Sequence, residues 1–426
     1  IADYANNLIR FPGALTQAEF DADPEQAAPR FVARDERRFN RQGRIAATLE
    51  HGFSANQSLS VSLFAEPKAL QRSERNRYRD FTRLHVGGQA AWSFDARFGE
   101  ALVGRTSAGV DEAIQDGSIL FWNLDPDGSR STTIFANKRE AANSAGGFVQ
   151  QSLTWNNRWS VQGALRYDNL WYISDDFLDP TLDAQKRFTR LTPKVTVSWL
   201  GGARTVFAGI GGGVEAPAFN EIDPPPPFDA TTSFNPFLEA MRSTTYELGA
   251  RGAITNSLGS WRYDTGVYWI DTKNDIVPFA GGAYFFTAGE SRRRGIEAGL
   301  DWIPSSRLSL RASGTFSNNE YVDYANDLGD FSGKDMPGLP ALTWTASTRV
   351  KVTRGLAVTL AVEGLGKYFA DDANTVEAAS FTLVNASVDY AVKTPHLGLR
   401  AFVSGRNLFD QKYVGSVFIN PIRDTP

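Results

Sequence analysis

The sequence contains no cysteine and only three histidines among its 426 residues. The absence of cysteine excludes disulfides, thiolate nucleophiles and cysteine-based zinc or iron–sulfur sites. His51, His85 and His396 are scattered, and none has a second ligand at metal-binding spacing, so no metal site and no cofactor is expected. No apolar run reaches about 18 residues, which excludes a membrane-spanning helix. No signal-peptide pattern opens the chain, so either the protein is not exported or the chain begins inside a longer one.

An excess of either charge is also missing. With 44 basic and 48 acidic side chains the net charge is -4 at pH 7, so no basic field argues for a nucleic-acid partner. Gly211, Gly212 and Gly213 lack the following Lys-Ser/Thr of a phosphate loop. No nucleophile stands with a base in a recognisable motif, so an enzyme is not expected.

The main pattern in the sequence is a strict alternation of apolar and polar residues. In the segment from Arg292 to Phe316, Ile296, Leu300 and Leu310 alternate with charged residues on both sides of a Pro-Ser-Ser turn. This period of two predicts two strands of a hairpin. About seventeen segments repeat the pattern, each long enough to cross a bilayer at the tilt of a barrel strand. The sequence therefore predicts an all-β chain that forms a transmembrane antiparallel β-barrel.

Connections between these segments alternate in length. Short ones are predicted at 95–99, 156–158, 201–204, 304–306 and 353–355. Long polar ones are predicted at Lys68–Arg79, Val110–Ala142, Pro217–Arg242, Ser317–Pro340 and Lys367–Ser380. Short turns at one end and long loops at the other are typical of outer-membrane barrels, whose short turns face the periplasm.

The tryptophans support the same prediction. Six of the ten lie near short connections and keep the apolar parity of their strands: Trp92, Trp155, Trp159, Trp199, Trp261 and Trp302. Such rings form an interfacial girdle at the headgroup level. Ile296, Leu300, Leu308 and Leu310 are then predicted to face lipid. Glu297, Asp301, Arg307 and Arg311 are predicted to face a wet lumen. A soluble all-β binding module, whose tryptophans cap an ordinary core, remains the alternative.

Five segments resemble the TonB-dependent outer-membrane receptors, of the ferric-siderophore and ferric-citrate type. The resemblance rests on Phe11–Ala27, Asn235–Gly252, Phe285–Leu300, Gly333–Val350 and Gly405–Ser416, in the family's order. It implies a barrel of about 22 strands plugged by an N-terminal domain. Residues 1–426 then correspond to the barrel domain alone. The plug, roughly four first strands and one last strand are expected outside this chain.

The resemblance also implies a function, a location and partners. It implies TonB-driven uptake of an iron chelate, a siderophore or ferric citrate, across the outer membrane of a Gram-negative bacterium. The implied partners are the ferric chelate, outer-membrane lipid and lipopolysaccharide, and the TonB protein through an N-terminal segment outside this chain. A monomer is expected. Another scarce ligand such as cobalamin, or a binding module without transport, is the alternative.

Two groups of residues are candidates for ligand binding. Arg72, Arg75, Arg77 and Arg79 cluster in the predicted loop Lys68–Arg79, and guanidinium groups suit carboxylates and phosphates. The same cluster equally fits lipopolysaccharide phosphates or plain solvation.

The second group is Arg293 with the aromatic residues Tyr284 and Phe286 above it on the same predicted strand. An arginine beside aromatic rings binds a flat chelate by charge and stacking. Packing within the barrel wall is the alternative for this group.

Overall fold

The computed structural model describes residues 1–74, 76–219, 221–279, 282–326 and 328–420, with Glu74 and Ala230 described by their backbone alone. The strands are β1 Ala2–Arg10, β2 Arg37–Ser54, β3 Gln57–Glu74, β4 Arg77–Phe98, β5 Leu102–Leu124, β6 Arg130–Trp155, β7 Trp159–Asp176, β8 Ala184–Leu200, β9 Arg204–Glu215, β10 Met241–Asn256, β11 Gly259–Phe279, β12 Tyr284–Ser305, β13 Leu308–Asp323, β14 Ala325–Asn326, β15 Gly329–Asp330, β16 Leu342–Lys351, β17 Leu356–Leu365, β18 Tyr368–Phe369, β19 Glu377–Ala378, β20 Phe381–Lys393 and β21 Gly398–Gly405. The helices are α1 Gln17–Ala22 and α2 Pro29–Ala33, with 3-10 turns at Pro180–Leu182 and Phe228–Ala230. In these ranges no helix is long and apolar enough to span a membrane.

Antiparallel pairing of long strands confirms the all-β prediction. Seventeen strands of the described residues take part in it, and the other four form two ladders of two-residue strands, β14 with β15 and β18 with β19. Pairing joins strands that follow one another in the chain. The β11–β12 ladder, for example, runs from Ser260 opposite Ile303 to Phe279 opposite Tyr284. The count agrees with the number of alternating segments in the sequence.

The chain divides into two compact units. Unit 1 comprises Ile1–Leu153, Gln162–Pro193 and Val214–Ala240. Unit 2 comprises Thr154–Val161, Lys194–Gly213 and Met241–Pro426. Each unit is described by itself below.

The strands of unit 1 expose their apolar face. Ile45, Leu49, Leu63 and Val110 are 69%, 65%, 61% and 63% exposed. The residues between them along each strand are polar, as in the alternation of Ser58, Ser60 and Ser62 with leucine and valine on β3. An apolar surface of this extent is unstable in water and is typical of strands that face lipid.

Unit 2 shows the same division, which the sequence predicted for Arg292–Phe316. Ile296, Leu300 and Phe316 are exposed on the apolar face. On the opposite face the guanidinium Nε of Arg311 lies 2.6 Å from the carboxylate of Asp301, its direct cross-strand partner. We refer to the two sides of each strand as the apolar face and the polar face.

The tryptophans lie beside short turns, as predicted, except that the connection after Trp92 is at 99–101 rather than 95–99 because β4 continues to Phe98. Trp155 and Trp159 flank the three-residue turn between β6 and β7. Trp261 and Trp302 are cross-strand partners whose rings stack with centroids 4.7 Å apart. The Trp302 indole also donates to the carbonyl of Leu258 at 2.8 Å. These rings therefore mark one end of the strands of unit 2.

Two of the predicted long loops are wrong. Lys68–Arg79 belongs to strands, because β3 continues to Glu74, β4 begins at Arg77, and their ladder is unbroken from Lys68 opposite Arg83 upward. Val110–Ala142 likewise consists of β5 and β6 around a turn at 125–129. The polar sequence suggested loops, but antiparallel pairing satisfies the backbone groups of both hairpins. The other three long connections are confirmed, at 216–240, 324–341 and 366–380, although the second begins at Tyr324 rather than Ser317 because β13 continues to Asp323.

Buried apolar side chains gather where the long connections meet the strands. In unit 1, Tyr172, Ile222 and Phe234 form such a cluster. In unit 2 the cluster contains Val277, Ala288, Tyr321, Tyr324, Phe331 and Met336. The cores thus lie at the loop ends of the strands and fix the positions of the long connections.

Unequal losses of stability are expected for substitutions on the two faces of the β12–β13 hairpin. Leu300→Arg in the complete protein should cost about 2–4 kcal/mol if its position is near the bilayer midplane. Arg311→Ala should cost much less, because an exposed ion pair contributes about 1 kcal/mol or less. Denaturant unfolding in lipid measures both, and equal penalties would show that the two faces are assigned wrongly.

Candidate functional site

A row of arginines crosses the polar face of unit 1. Arg38 on β2 lies directly opposite Arg72 on β3, and Arg72 lies directly opposite Arg79 on β4. Arg79 in turn lies opposite Phe121 on β5. Because cross-strand partners share one face of a sheet, the three guanidinium groups stand side by side.

Aromatic rings accompany these cations. The guanidinium of Arg72 lies 5.5 Å from the centroid of the Phe11 ring, and that of Arg79 lies 5.1 Å from Phe121. Arg77, at the tip of the same hairpin, lies 3.8 Å from the centroid of Phe135. The faces of aromatic rings stabilise cations within about 6 Å. We call Arg38, Arg72, Arg79, Phe11 and Phe121 the arginine row.

The position of Phe11 follows from the connection between β1 and β2. Its backbone N–H donates to the carbonyl of Glu36 at 2.9 Å, which closes the loop at its base. Within the loop, Thr16 and Glu19 form a capping box at the start of α1, with their reciprocal bonds at 3.3 and 2.8 Å. Such caps stabilise a short helix that would not persist alone. The loop therefore holds Phe11 against Arg72.

Like charges directly opposite each other destabilise a sheet, so the arginine row is a place where an anion is stabilising. The buried Nε of Arg38 has no hydrogen-bond partner in the described part of the chain. The structure brings Arg72 and Arg79 together, whereas Arg75 lies outside the described residues. Sequence reasoning missed Arg38, although its parity on β2 matches that of Gln42 and Arg44.

In unit 2, Arg293 is held in a polar cluster between β11 and β12. Its Nη2 lies 2.6 Å from the carboxylate of Asp275 and its Nη1 donates to the hydroxyl of Thr272 at 3.0 Å. The hydroxyl of Ser291 donates to the same carboxylate. Asp275 is almost fully buried, so the charge of Arg293 compensates a carboxylate that would otherwise be costly to bury.

The aromatic residues predicted above Arg293 lie at the tip of this hairpin. Tyr284 is the first residue of β12 and lies opposite Phe279, the last residue of β11. The rings of Phe279 and Phe286 pack edge to face with centroids 5.5 Å apart. The structure therefore places Tyr284, Phe286 and Arg293 on one strand, with the aromatic pair towards its loop end.

A buried carboxylate joins the loops of unit 2. Asp372, in the connection between β17 and β20, accepts hydrogen bonds from the hydroxyls of Tyr321 at 2.9 Å and Tyr324 at 3.2 Å. It also accepts one from the side-chain amide of Asn420 at 2.8 Å. That amide donates to the carbonyl of Pro278 as well, at 2.9 Å. We call Asp372, Tyr321, Tyr324 and Asn420 the loop hub.

Burial affects the ionisation of the loop hub. Desolvation raises the pKa of the Asp372 carboxyl above its usual value, and the hydrogen bonds from the tyrosines and Asn420 oppose this shift. Desolvation, together with the Asp372 charge, also raises the pKa of Tyr324. The tyrosine hydroxyls therefore remain donors at neutral pH, and the carboxyl protonates more readily than a solvated aspartate.

Acidic residues line a concavity of about 520 Å³ on the polar face of unit 2. Glu247, Asp264, Glu297 and Glu363 each come from a different strand. None of the ion pairs found among the described residues includes these four carboxylates. The side chain of Asn385 donates to Glu363 at 3.0 Å. The concavity is thus suited to a cationic group.

Comparison with known proteins identifies the architecture. The model of the family described as TonB dependent receptor-like, beta-barrel matches residues 2–408. The chain belongs to this family. Its long antiparallel strands are therefore those of an outer-membrane barrel of a Gram-negative bacterium, a fold whose strands have one apolar and one polar face.

Individual relatives of this TonB-dependent receptor barrel include the ferrioxamine receptor of Yersinia enterocolitica, 30% identical over 185 residues, which are 42% of this chain and 25% of that protein. The ferrichrome outer membrane transporter/phage receptor of Escherichia coli K12 is 27% identical over 155 residues, or 36% of this chain and 21% of that protein. The matches thus span about a quarter of the length of each relative. The unliganded ferric citrate transporter FecA has the same fold, with a TM-score of 0.81 and 17% identity over 98% of this chain and 63% of its own.

Acidification is expected to stabilise the loop hub. Because the folded pKa of Asp372 lies above the ordinary value of 3.8, its contribution to stability is complete below that value and is lost as pH rises through the folded pKa. Hydrogen exchange in 325–341 and 370–376 of the complete protein should therefore be slower, relative to Asp372→Asn, at about pH 4 than at about pH 7. The same pH dependence in parent and variant would contradict the assignment.

Proposed function

We propose that the complete protein is an outer-membrane receptor that takes up an anionic iron chelate, a siderophore or ferric citrate, with energy supplied through TonB. The arginine row carries this proposal, because three neighbouring guanidinium groups, two of them beside aromatic rings, suit a ligand with several carboxylates. The relatives named for ferrioxamine, ferrichrome and ferric citrate support iron chelates as the ligand class. The protein is a transporter in this proposal and catalyses no reaction.

The candidate residues of each unit have a role of their own in this proposal. Arg72, Arg77 and Arg79, with Arg38 added by the structure, attract the chelate and raise its local concentration. Arg75 is proposed to act with them. Tyr284, Phe286 and Arg293 are proposed to contact the ligand from unit 2 by stacking and charge.

Further partners complete the proposal. A plug domain outside this chain would bring basic side chains to the acidic concavity of Glu247, Asp264, Glu297 and Glu363, since these exposed carboxylates would need cationic or hydrogen-bonding neighbours once a plug covers them. A segment outside this chain would also contact TonB. The exposed apolar face would contact outer-membrane lipid and lipopolysaccharide, and the receptor would act as a monomer. A cobalamin-type cargo, or a binding module without transport, is the competing possibility.

Neutralising the arginine row tests the ligand class. In the complete receptor, the triple substitution Arg38→Gln, Arg72→Gln and Arg79→Gln should slow association of ferric citrate about tenfold or more at low salt, because electrostatic attraction is lost. The salt dependence of association should also flatten, since exposed charges are screened over about 8 Å at physiological ionic strength. Stopped-flow binding at several salt concentrations measures both effects.

A matched control exists in the periplasmic turns, where Arg158, Arg204 and Arg354 are exposed. Replacing these three with Gln changes the net charge equally and should leave association unaltered. Ferrichrome, a neutral chelate, should bind the parent and the arginine-row variant at similar rates. If ferric citrate bound both triple variants alike, the anionic-ligand proposal would fail and a neutral or cationic cargo would replace it.

Arg293 calls for a milder substitution. Arg293→Ala would leave the Asp275 carboxylate buried without its cation, at a cost of about 3–5 kcal/mol, so lost binding would be ambiguous. Arg293→Lys keeps the charge and removes the planar stacking surface. We expect faster release of the chelate with unchanged association, measured by dissociation of preloaded receptor. Unaltered release in a folded variant would exclude Arg293 from the ligand contacts.

A further inference from the structure

The connection between β9 and β10, described at 216–219 and 221–240, is fastened to the strands of unit 1 by polar contacts. The hydroxyl of Tyr172 on β7 donates to the carbonyl of Pro217 at 2.6 Å. The ammonium of Lys186 on β8 donates to the carbonyl of Leu238 at 2.7 Å. Between these anchors, Asp223 of the same connection approaches Lys138 on β6. We call residues 216–240 the docked loop.

An ion cluster lies beneath the docked loop. The ammonium of Lys138 on β6 is 2.8 Å from Glu140 and 3.3 Å from Asp223. The guanidinium of Arg83 on β4 is 2.7 Å from Glu140. The side chains of Lys138, Arg83 and Glu140 are only 14%, 10% and 5% exposed, whereas that of Asp223 is 43% exposed. Two buried cations therefore share one wall carboxylate, and the loop supplies the second anion.

The cluster belongs to the lumen side. Lys138 and Glu140 are separated from Val149 by an odd number of positions along β6, and Val149 is exposed on the apolar face. Lys138 and Glu140 therefore lie on the polar face. Arg83 has the parity opposite to Leu84, which is exposed on the apolar face of β4. The ring of Phe219, also from the docked loop, lies 5.0 Å from the Arg83 guanidinium. Departure of the loop would therefore uncover both cations towards the lumen.

We propose that Lys138 and Arg83 form an anion subsite that the Asp223 carboxylate occupies until a carboxylate of the incoming ligand replaces it. That the incoming ligand is an anionic chelate rests on the proposed function above. The substitution is balanced in charge, because one carboxylate leaves as another arrives. Without a replacement, two cations and one anion would stay buried together, and an uncompensated buried charge is strongly destabilising.

This exchange couples ligand binding to the position of the loop. A free anion that binds Lys138 only when Asp223 has left shifts the loop towards the undocked position, in proportion to its differential affinity for the two states. A neutral ligand has no such effect. The subsite is thus a second place, separate from the arginine row, where the protein distinguishes ligands that carry a carboxylate from neutral ligands.

A thiol under the docked loop reports its departure. Ala142 packs against the cluster of Tyr172, Ile222 and Phe234, and the chain has no cysteine of its own, so Ala142→Cys in the complete receptor introduces a covered thiol. Its labelling rate with a maleimide is compared in four further variants, Asp223→Asn, Asp229→Asn, Lys138→Gln and Lys138→Arg. Asp229 is the matched control, because it is an exposed aspartate of the same loop.

We expect Asp223→Asn to label about fivefold faster than the parent, since the loop loses its ion pair. Asp229→Asn should label at the parent rate. Free citrate, used as the probe anion, should accelerate labelling in the parent and in Lys138→Arg, and glucose should not. The ratio of rates with and without citrate should fall to about one in Lys138→Gln, which lacks the cation.

Equal labelling of Asp223→Asn and Asp229→Asn would overturn the proposal, as would an equal effect of citrate on the parent and Lys138→Gln. These rates require no iron chelate. Failure of the receptor to bind any ferric chelate would therefore remove the proposed function while the labelling rates still decide the subsite.

Discussion

Backbone hydrogen bonding in a solvent that offers no partners is the constraint on which this structure depends. Inside a bilayer each N–H and C=O of a strand must be satisfied by a neighbouring strand, and the long antiparallel ladders supply these partners. Once the ladders exist, the pleat sends alternate side chains to opposite sides. The exposed Ile45 and Leu300 and the charged Arg311 follow from this one geometric rule, and the polar face alone is left for chemistry.

Several charged side chains on the polar face form ion pairs with other side chains of the same protein. Arg293 compensates Asp275, and Lys138 and Arg83 share Glu140. In the arginine row, Arg72 lies opposite both Arg38 and Arg79, and aromatic rings lie beside Arg72 and Arg79. The polar face therefore combines ion pairs that stabilise the fold with a row in which cations are cross-strand neighbours.

The sequence predicted what depends on local pattern. Alternation of apolar and polar residues identified the strands, and the tryptophans identified the short turns. Both predictions succeeded because each pattern is contained within a few neighbouring residues. The prediction that Lys68–Arg79 forms a loop was wrong, since polar strands beyond the bilayer have the amino-acid composition of loops. Arg38 was missed because its relation to Arg72 depends on the register of two strands. The contacts of Lys138 with Asp223 and of Asp372 with Asn420 join positions far apart in the chain, and no local pattern records them.

The loop hub has a consequence for how recognition diversifies among related receptors. One carboxylate, that of Asp372, accepts bonds from the end of β13, from the connection that follows it and from the segment after β21. A change of length in any one of these segments displaces the hydrogen-bond donors that the other segments contribute. Changes in the three segments therefore have to be inherited together. Natural selection therefore reaches a new ligand specificity in this part of unit 2 only through changes that fit all three segments together.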